Sequence, residues 1–147
     1  MDRKILRLLS QDGRITQAAL AEAVGLSRPA VIERLRKLEK SGIIRGYHAA
    51  IDNKKVGKPI QALVAISYRG GTISTEEETA ILSLSEEPDI IECYKMAGDD
   101  AAMVRIITES IETLEQILTR IRNLDLVFST RTMIILSTYF EKPGVQV

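Results

Sequence analysis

The chain has 147 residues, 45% of them apolar, and 20 Lys and Arg balance 20 Asp and Glu. This length and apolar content suffice for one large or two small cores and exclude a disordered chain. Cys93 and His48 are the only residues of their types, so an internal disulfide and a thiolate zinc cluster are excluded, and hydrolysis by a metal site or a histidine-based triad is not expected. No metal, cofactor or catalytic residue is expected. No apolar run reaches the roughly 20 residues of a membrane span, and MDRKILRLLSQDGRI lacks a signal-peptide core. The expectation is a cytoplasmic protein with no membrane partner.

From Asp2 to Ser10, Ile5, Leu8 and Leu9 form a helical stripe that Asp12-Gly13 ends. Thr16 is a good N-cap, with Leu20, Ala21 and Val24 at helical spacing behind it and Gly25 as the left-handed residue that stops the helix. Ser27 can then cap a third helix with Pro29 in its first turn, and its Val31, Leu35 and Leu38 make one stripe. Arg28, Ala30, Arg34 and Lys37 are expected on a different, solvent-directed face. The small Ala21 permits close helix crossing and Gly25 the sharp turn, which together suggest helix-turn-helix. An ordinary helical hairpin with a solvated basic face is the alternative at this point.

Charge distribution favours the first reading. Residues 1–60 hold 13 Lys and Arg against 6 Asp and Glu, a formal +7, and residues 61–147 hold 7 against 14, a formal −7. A polyanion is attracted to the first half and repelled by the second, as for a basic reading head on an acidic body.

After Ser41-Gly42 the segment IIRGYHAAID carries Ile43, Ile44, Tyr47 and Ile51 around Gly46. It reads either as a β-ribbon wing with Arg45 and His48 exposed or as an extended connector. DNKKVGKP then has the turn residues and lysines of a linker. The expected division is a head at 1–51, a linker at 52–59 and a second domain at 60–147.

In that second domain Ile60, Ala62, Val64, Ile66 and Tyr68 alternate as in a strand, which Gly70-Gly71 ends. Ser74 and Glu77 form a capping box for a helix carrying Ile81, Leu82 and Leu84 up to Pro88. Two apolar strands, Ile90 to Ala97 and Ala101 to Thr108, meet at Gly98-Asp99-Asp100, a turn short enough to require an antiparallel pair. Ser110 caps a helix with a stripe of Ile111, Leu114, Ile117, Leu118 and Ile121, and Val127 to Phe140 reads as a last long strand. The order βαββαβ predicts a ferredoxin-like α+β domain, one four-stranded antiparallel sheet with two helices on one face. The strands look apolar on both sides, so the open face is expected to meet a second copy in a symmetric dimer that pairs two reading heads.

The stretch DGRITQAALAEAVGLSRPAVIERLRKLEKSGIIRGYHAAID, the Gly98-Asp99 turn and STRTMIILS together resemble the Lrp/AsnC (feast/famine) family of transcriptional regulators over nearly the whole chain. The resemblance implies an N-terminal helix-turn-helix domain, a C-terminal effector-binding domain, and homodimers that assemble into tetramers, octamers or larger discs on double-stranded DNA. It also implies an amino-acid effector bound between subunits near the Gly-Asp turn. Two departures stand out. The family turn commonly reads Gly-Asp-any-Asp-aromatic, whereas Asp100, Ala101 and Ala102 follow Gly98-Asp99 here. Family members also usually carry a few residues before the first helix, while Met1-Asp2 opens almost directly into it; an absent arm or a start assigned too late is expected.

On this reading Ser27, Arg28, Ala30, Arg34 and Lys37 face the major groove, and Glu33 orients the arginines or accepts from a cytosine amino group. Lys40 and Arg45, with Lys54 and Lys55, lie against phosphates. Met96, Gly98, Asp99, Asp100 and Thr130 form the expected effector site. Two rivals remain at this point: an effector-free architectural DNA binder, and a stand-alone metabolite sensor acting on a protein partner.

Overall fold

A computed structural model describes residues 1–70 and 74–142 and divides them into two units. The first comprises Met1–Ala50 with Tyr139 to Lys142, and the second runs from Ile51 to Thr138. Gly71, within the expected strand-ending glycine pair, lies outside the described residues.

Three helices make the first unit: α1 (Asp2–Gln11), α2 (Gln17–Val24) and α3 (Arg28–Lys40). Thr16 Oγ1 accepts from the Ala19 N–H at 3.1 Å, which satisfies one of the unpaired donors at the start of α2. Gly25 ends α2 at φ +70°, a conformation that a side chain would strain. Ser27 Oγ then accepts from the Ala30 N–H to start α3, with Pro29 in its first turn. The stripes converge. Ile5, Leu20, Ala21, Val24, Val31, Leu35 and Leu38 are buried together, and Leu8, Leu9 and Leu26 pack against them.

The wing does not form, since residues 43–59 contain no strand. A ribbon needs a second strand to pair with, and here residues 52–58 fold on themselves instead. Asp52 Oδ1 accepts from the Lys54 and Lys55 N–H groups, and the Lys58 N–H donates to the Asn53 carbonyl at 2.8 Å. The extended segment before this turn is tied to α3, because the Tyr47 hydroxyl donates to Glu39 Oε1 at 2.9 Å. Lys58, the last lysine of the expected linker, is ion-paired to the buried Asp89.

The second unit has the expected order: β1 (Ile60–Tyr68), α4 (Thr75–Leu82), β2 (Ile90–Lys95), β3 (Ala102–Thr108), α5 (Ile111–Arg122) and β4 (Val127–Ile134). One antiparallel sheet results, with spatial order β2-β3-β1-β4. The Ser74–Glu77 capping box is closed in both directions, and Ser110 caps α5 through the Thr113 N–H. Ala62, Val64, Ile66, Val104 and Ile106 give the sheet one apolar face, and Leu114, Ile117, Leu118 and Ile121 of α5 pack on it with Leu84 and Leu126.

Four expectations need correction. Ile111 is half exposed because it opens α5, and Leu82 is exposed because the chain leaves α4 there for a 3-10 turn at Ser83–Glu86. The last strand stops at Ile134 because β1 begins at Ile60 and leaves little to pair with: the Ile135 N–H still donates to the Gln61 carbonyl at 2.8 Å, and Leu136, Tyr139 and Phe140 beyond it are exposed. Finally, the open face is mixed. The register places Glu92, Arg105, Leu63 and Met133 in one row across the sheet and Tyr94, Met103, Ala65 and Arg131 in the next. Arg105 lies 3.5 Å from Glu92 and 3.4 Å from Gln61, so charged pairs interrupt the apolar side chains.

Candidate DNA-reading helix and effector turn

The expected reading face lies on α3, whose core stripe of Val31, Leu35 and Leu38 leaves the opposite side uncovered. At about 100° per residue, Ser27, Ala30, Glu33, Arg34 and Lys37 form one continuous ridge. Arg28 does not join it. It lies about 120° around the axis from Arg34, on the other flank of the core stripe. Arg36, which the sequence reading passed over, is exposed away from the core stripe, about 60° around the axis from Glu33. Lys40 closes the helix and Arg45 follows in the extended segment, both exposed.

The ridge carries its own counter-charges. Lys37 Nζ lies 2.7 Å from Glu33 Oε1, one turn earlier. The hydrogen bond from Lys37, and then its charge, hold the Glu33 carboxyl below its ordinary range, with a smaller contribution from Arg34. Arg34 Nη1 donates to Asp2 Oδ1 at 2.7 Å, which ties α3 to the start of α1. Asp2 was invisible as a site residue because 32 positions separate it from Arg34. In this arrangement the Arg34 guanidinium is already engaged by a carboxylate.

The turn expected to hold an effector lies between β2 and β3. Gly98 adopts φ +140°, open to glycine at no steric cost. The Met96 N–H donates to the Ala101 carbonyl and the Ala101 N–H to the Ile66 carbonyl, both at 2.9 Å, which folds the turn against β1. Asp100 Oδ2 accepts from Arg131 Nη2 at 2.7 Å, a link that reaches past β1 to β4. Asp99 is exposed, and so is Met96. Thr130 belongs to a different environment, because it pairs in register with Ile66 and its hydroxyl accepts from Arg122 Nε of α5 at 3.3 Å. The structure therefore brings Met96, Gly98, Asp99 and Asp100 together, while the Thr130 hydroxyl is engaged from the helix side. Arg131 is the basic residue at the turn that sequence reasoning missed; its neighbour Thr130 was selected in its place.

No group of three or more His, Cys, Asp or Glu residues suited to a metal occurs among the described residues, and no described helix is long and apolar enough to cross a membrane.

Comparison with known proteins agrees with both halves. Residues 1–45 match the winged helix-turn-helix DNA-binding family, and residues 61–145 match the Lrp/AsnC ligand binding domain. The chain is 36% identical over 140 residues to the HTH-type transcriptional regulator LrpA of Mycobacterium tuberculosis, covering 95% of this chain and 91% of that protein. It is 33% identical over 141 residues to the HTH-type transcriptional regulator FL11 of Pyrococcus horikoshii, covering 96% and 91%. Among solved structures, the feast or famine regulatory protein of M. tuberculosis complexed with L-methionine superimposes with a TM-score of 0.88 at 33% identity, over 99% of this chain and 97% of that one. With a helix-turn-helix match over residues 1–45 and a ligand-binding-domain match over residues 61–145, the chain belongs to the Lrp/AsnC family and is a helix-turn-helix transcriptional regulator of that type.

Proposed function

We propose that this regulator reads a pseudo-palindromic duplex as a homodimer and adjusts its assembly on DNA in response to an amino acid. The observation that carries the DNA half is the uncovered ridge Ser27, Ala30, Glu33, Arg34 and Lys37 on a head of formal charge +7. Arg34 reads a base, Glu33 sets the position of Lys37, and Arg28, Lys40 and Arg45 hold phosphates on either side. Two heads related by a two-fold axis reach successive major grooves. The open sheet face, with Leu63, Met103 and Met133 between its charged pairs, supports the dimer contact.

The effector half is supported by the L-methionine complex of the M. tuberculosis relative. In this chain Gly98 and its neighbours offer backbone N–H groups to a ligand carboxylate, and the exposed Asp99 receives the ammonium. Asp100 is held by Arg131, so it shapes the turn rather than contacting the ligand directly. Ala101 stands where the family has a bulkier group, which leaves room for a ligand with a larger side chain, whereas Ala102 is buried in the core. Binding acts by favouring one assembly over another, and so by changing the spacing of heads along DNA.

The test is a thermal-unfolding screen against the twenty amino acids at millimolar concentration, followed by operator binding with each hit. A ligand at 100 times its dissociation constant adds about 2.7 kcal/mol of stability. A shift that disappears in Asp99→Ala supports the turn as the effector site. No shift with any amino acid favours the effector-free architectural reading, for which the occupied Asp100 carboxylate is the specific observation.

A further inference from the structure

A cleft of about 360 Å³ opens in the second unit between α4 and the edge strand β2. Its origin is local. α4 has eight residues and buries none of them, so it leaves the end of the sheet unsealed. Cys93 pairs in register with Val104 of the helix-covered face, yet it remains exposed. Tyr68, Ile81, Ile90 and Cys93 make the apolar wall, and Glu78 and Lys95 stand at the rim with Lys95 Nζ 3.7 Å from Glu78 Oε1. Partial enclosure pushes the Cys93 thiol up. It also pushes the Tyr68 phenol up, with Cys93 and Glu78 adding to the effect.

We propose that this cleft binds an apolar α-amino acid within a single subunit, its carboxylate on Lys95, its ammonium on Glu78 and its side chain against Tyr68, Ile81 and Cys93. The volume falls in the range of about 300–1,000 Å³ usual for small-molecule sites. Opposite charges at one rim of an apolar hole select the ligand class. A zwitterion satisfies both charges at once, whereas a monocation or a monoanion competes with the Glu78–Lys95 pair for one partner and leaves the other unmatched. Lys95 and Ala102, the strand pair next to the turn, line the cleft, but none of Met96, Gly98, Asp99, Asp100 or Thr130 does, so the cleft borders the turn without including its expected effector residues.

The test uses the full-length protein and three probes: L-phenylalanine, phenethylamine and 3-phenylpropanoate. Cys93 is the only cysteine, so its rate of labelling by a maleimide reports on this cleft alone. L-phenylalanine is expected to slow labelling saturably, and the two singly charged analogues to do so at concentrations about tenfold higher or more. Glu78→Gln and Lys95→Gln, both surface changes, are each expected to weaken the protection by about tenfold or more, and Asp99→Ala to leave it unchanged. Equal protection by all three probes, protection abolished by Asp99→Ala, or no protection at all overturns the proposal. So does protection that follows protein concentration rather than the amino acid, which would mark a second copy of the chain as the occupant. Because Asp99→Ala tests the turn and the rim variants test the cleft, failure at one site is distinguishable from failure at the other.

Discussion

Replacing Asp2 by Asn should strengthen operator binding. Arg34 Nη1 lies 2.7 Å from Asp2 Oδ1, and both side chains are about half exposed, so the pair sits in a well-screened setting. Exposed pairs of this kind contribute about 0.2–1 kcal/mol. If Arg34 must leave Asp2 to reach a base, releasing it beforehand returns that amount to binding. The expected gain in operator affinity is between about 1.4-fold and about fivefold. Arg34→Ala should act in the opposite sense, with a loss of about 1–3 kcal/mol for a base contact. The assay is fluorescence anisotropy on an operator selected from a random pool, run as a double-mutant cycle. In an Arg34→Ala background, Asp2→Asn should give a clearly smaller gain, since its main effect is exerted through Arg34. An undiminished gain in that background would show that Asp2 acts by net charge alone. A fall in affinity for Asp2→Asn would refute the reasoning outright.

Further outcomes concern stability and the reading ridge. Lys37→Ala should weaken operator and random duplex alike and reduce the salt slope, the behaviour of a phosphate contact, whereas Arg34→Ala should also relax preference at one base position. Gly25→Ala should destabilise the first unit by about 1–2 kcal/mol, because φ +70° is unfavourable for a residue with a Cβ; chemical denaturation measures it. Ile121→Ala should cost about 2–5 kcal/mol in the second unit, since that side chain is fully buried in its core. Asp89→Asn tests the tether to Lys58. Burial pushes the Asp89 carboxyl up, but the Lys58 hydrogen bond, the Thr108 hydroxyl and the Lys58 charge outweigh this and hold it below its ordinary value. A carboxyl lowered by folding stabilises the native state above its unfolded pKa of about 3.9, and that contribution is lost as pH falls through the lower folded value. The stability difference between wild type and Asp89→Asn, followed by urea unfolding, should therefore be present at neutral pH and shrink below about pH 4.

Local signals were the legible part of this chain. Thr16, Ser27, Ser74 and Ser110 all cap the helices that their positions announced, because a cap depends on residues within one turn. The buried stripes of α3 and α5 were equally readable from helical spacing, except where Ile111 opens its helix. Features set by a distant partner were not. Strand propensity in the segment around Gly46 found no second strand, and the apolar run after Ile134 outlasts its pairing with β1. The pairs Asp2–Arg34, Lys58–Asp89 and Asp100–Arg131 each join residues about thirty positions apart, and only the folded chain shows which carboxylate meets which cation. The position of Arg28 was a different kind of miss, since helical geometry alone separates it from Arg34. The charge contrast between the halves identified the reading head without any of these details.

The central claim is that the head reads sequence, rather than only attracting a polyanion. Titrating the selected operator and a random duplex over a range of salt concentrations tests this most directly. The account predicts that affinity for both falls linearly with log salt, and that the operator stays about a thousandfold or more tighter at physiological salt. Equal affinity for the two duplexes would contradict sequence reading by the ridge on α3, and salt-independent binding would contradict the role assigned to its basic face.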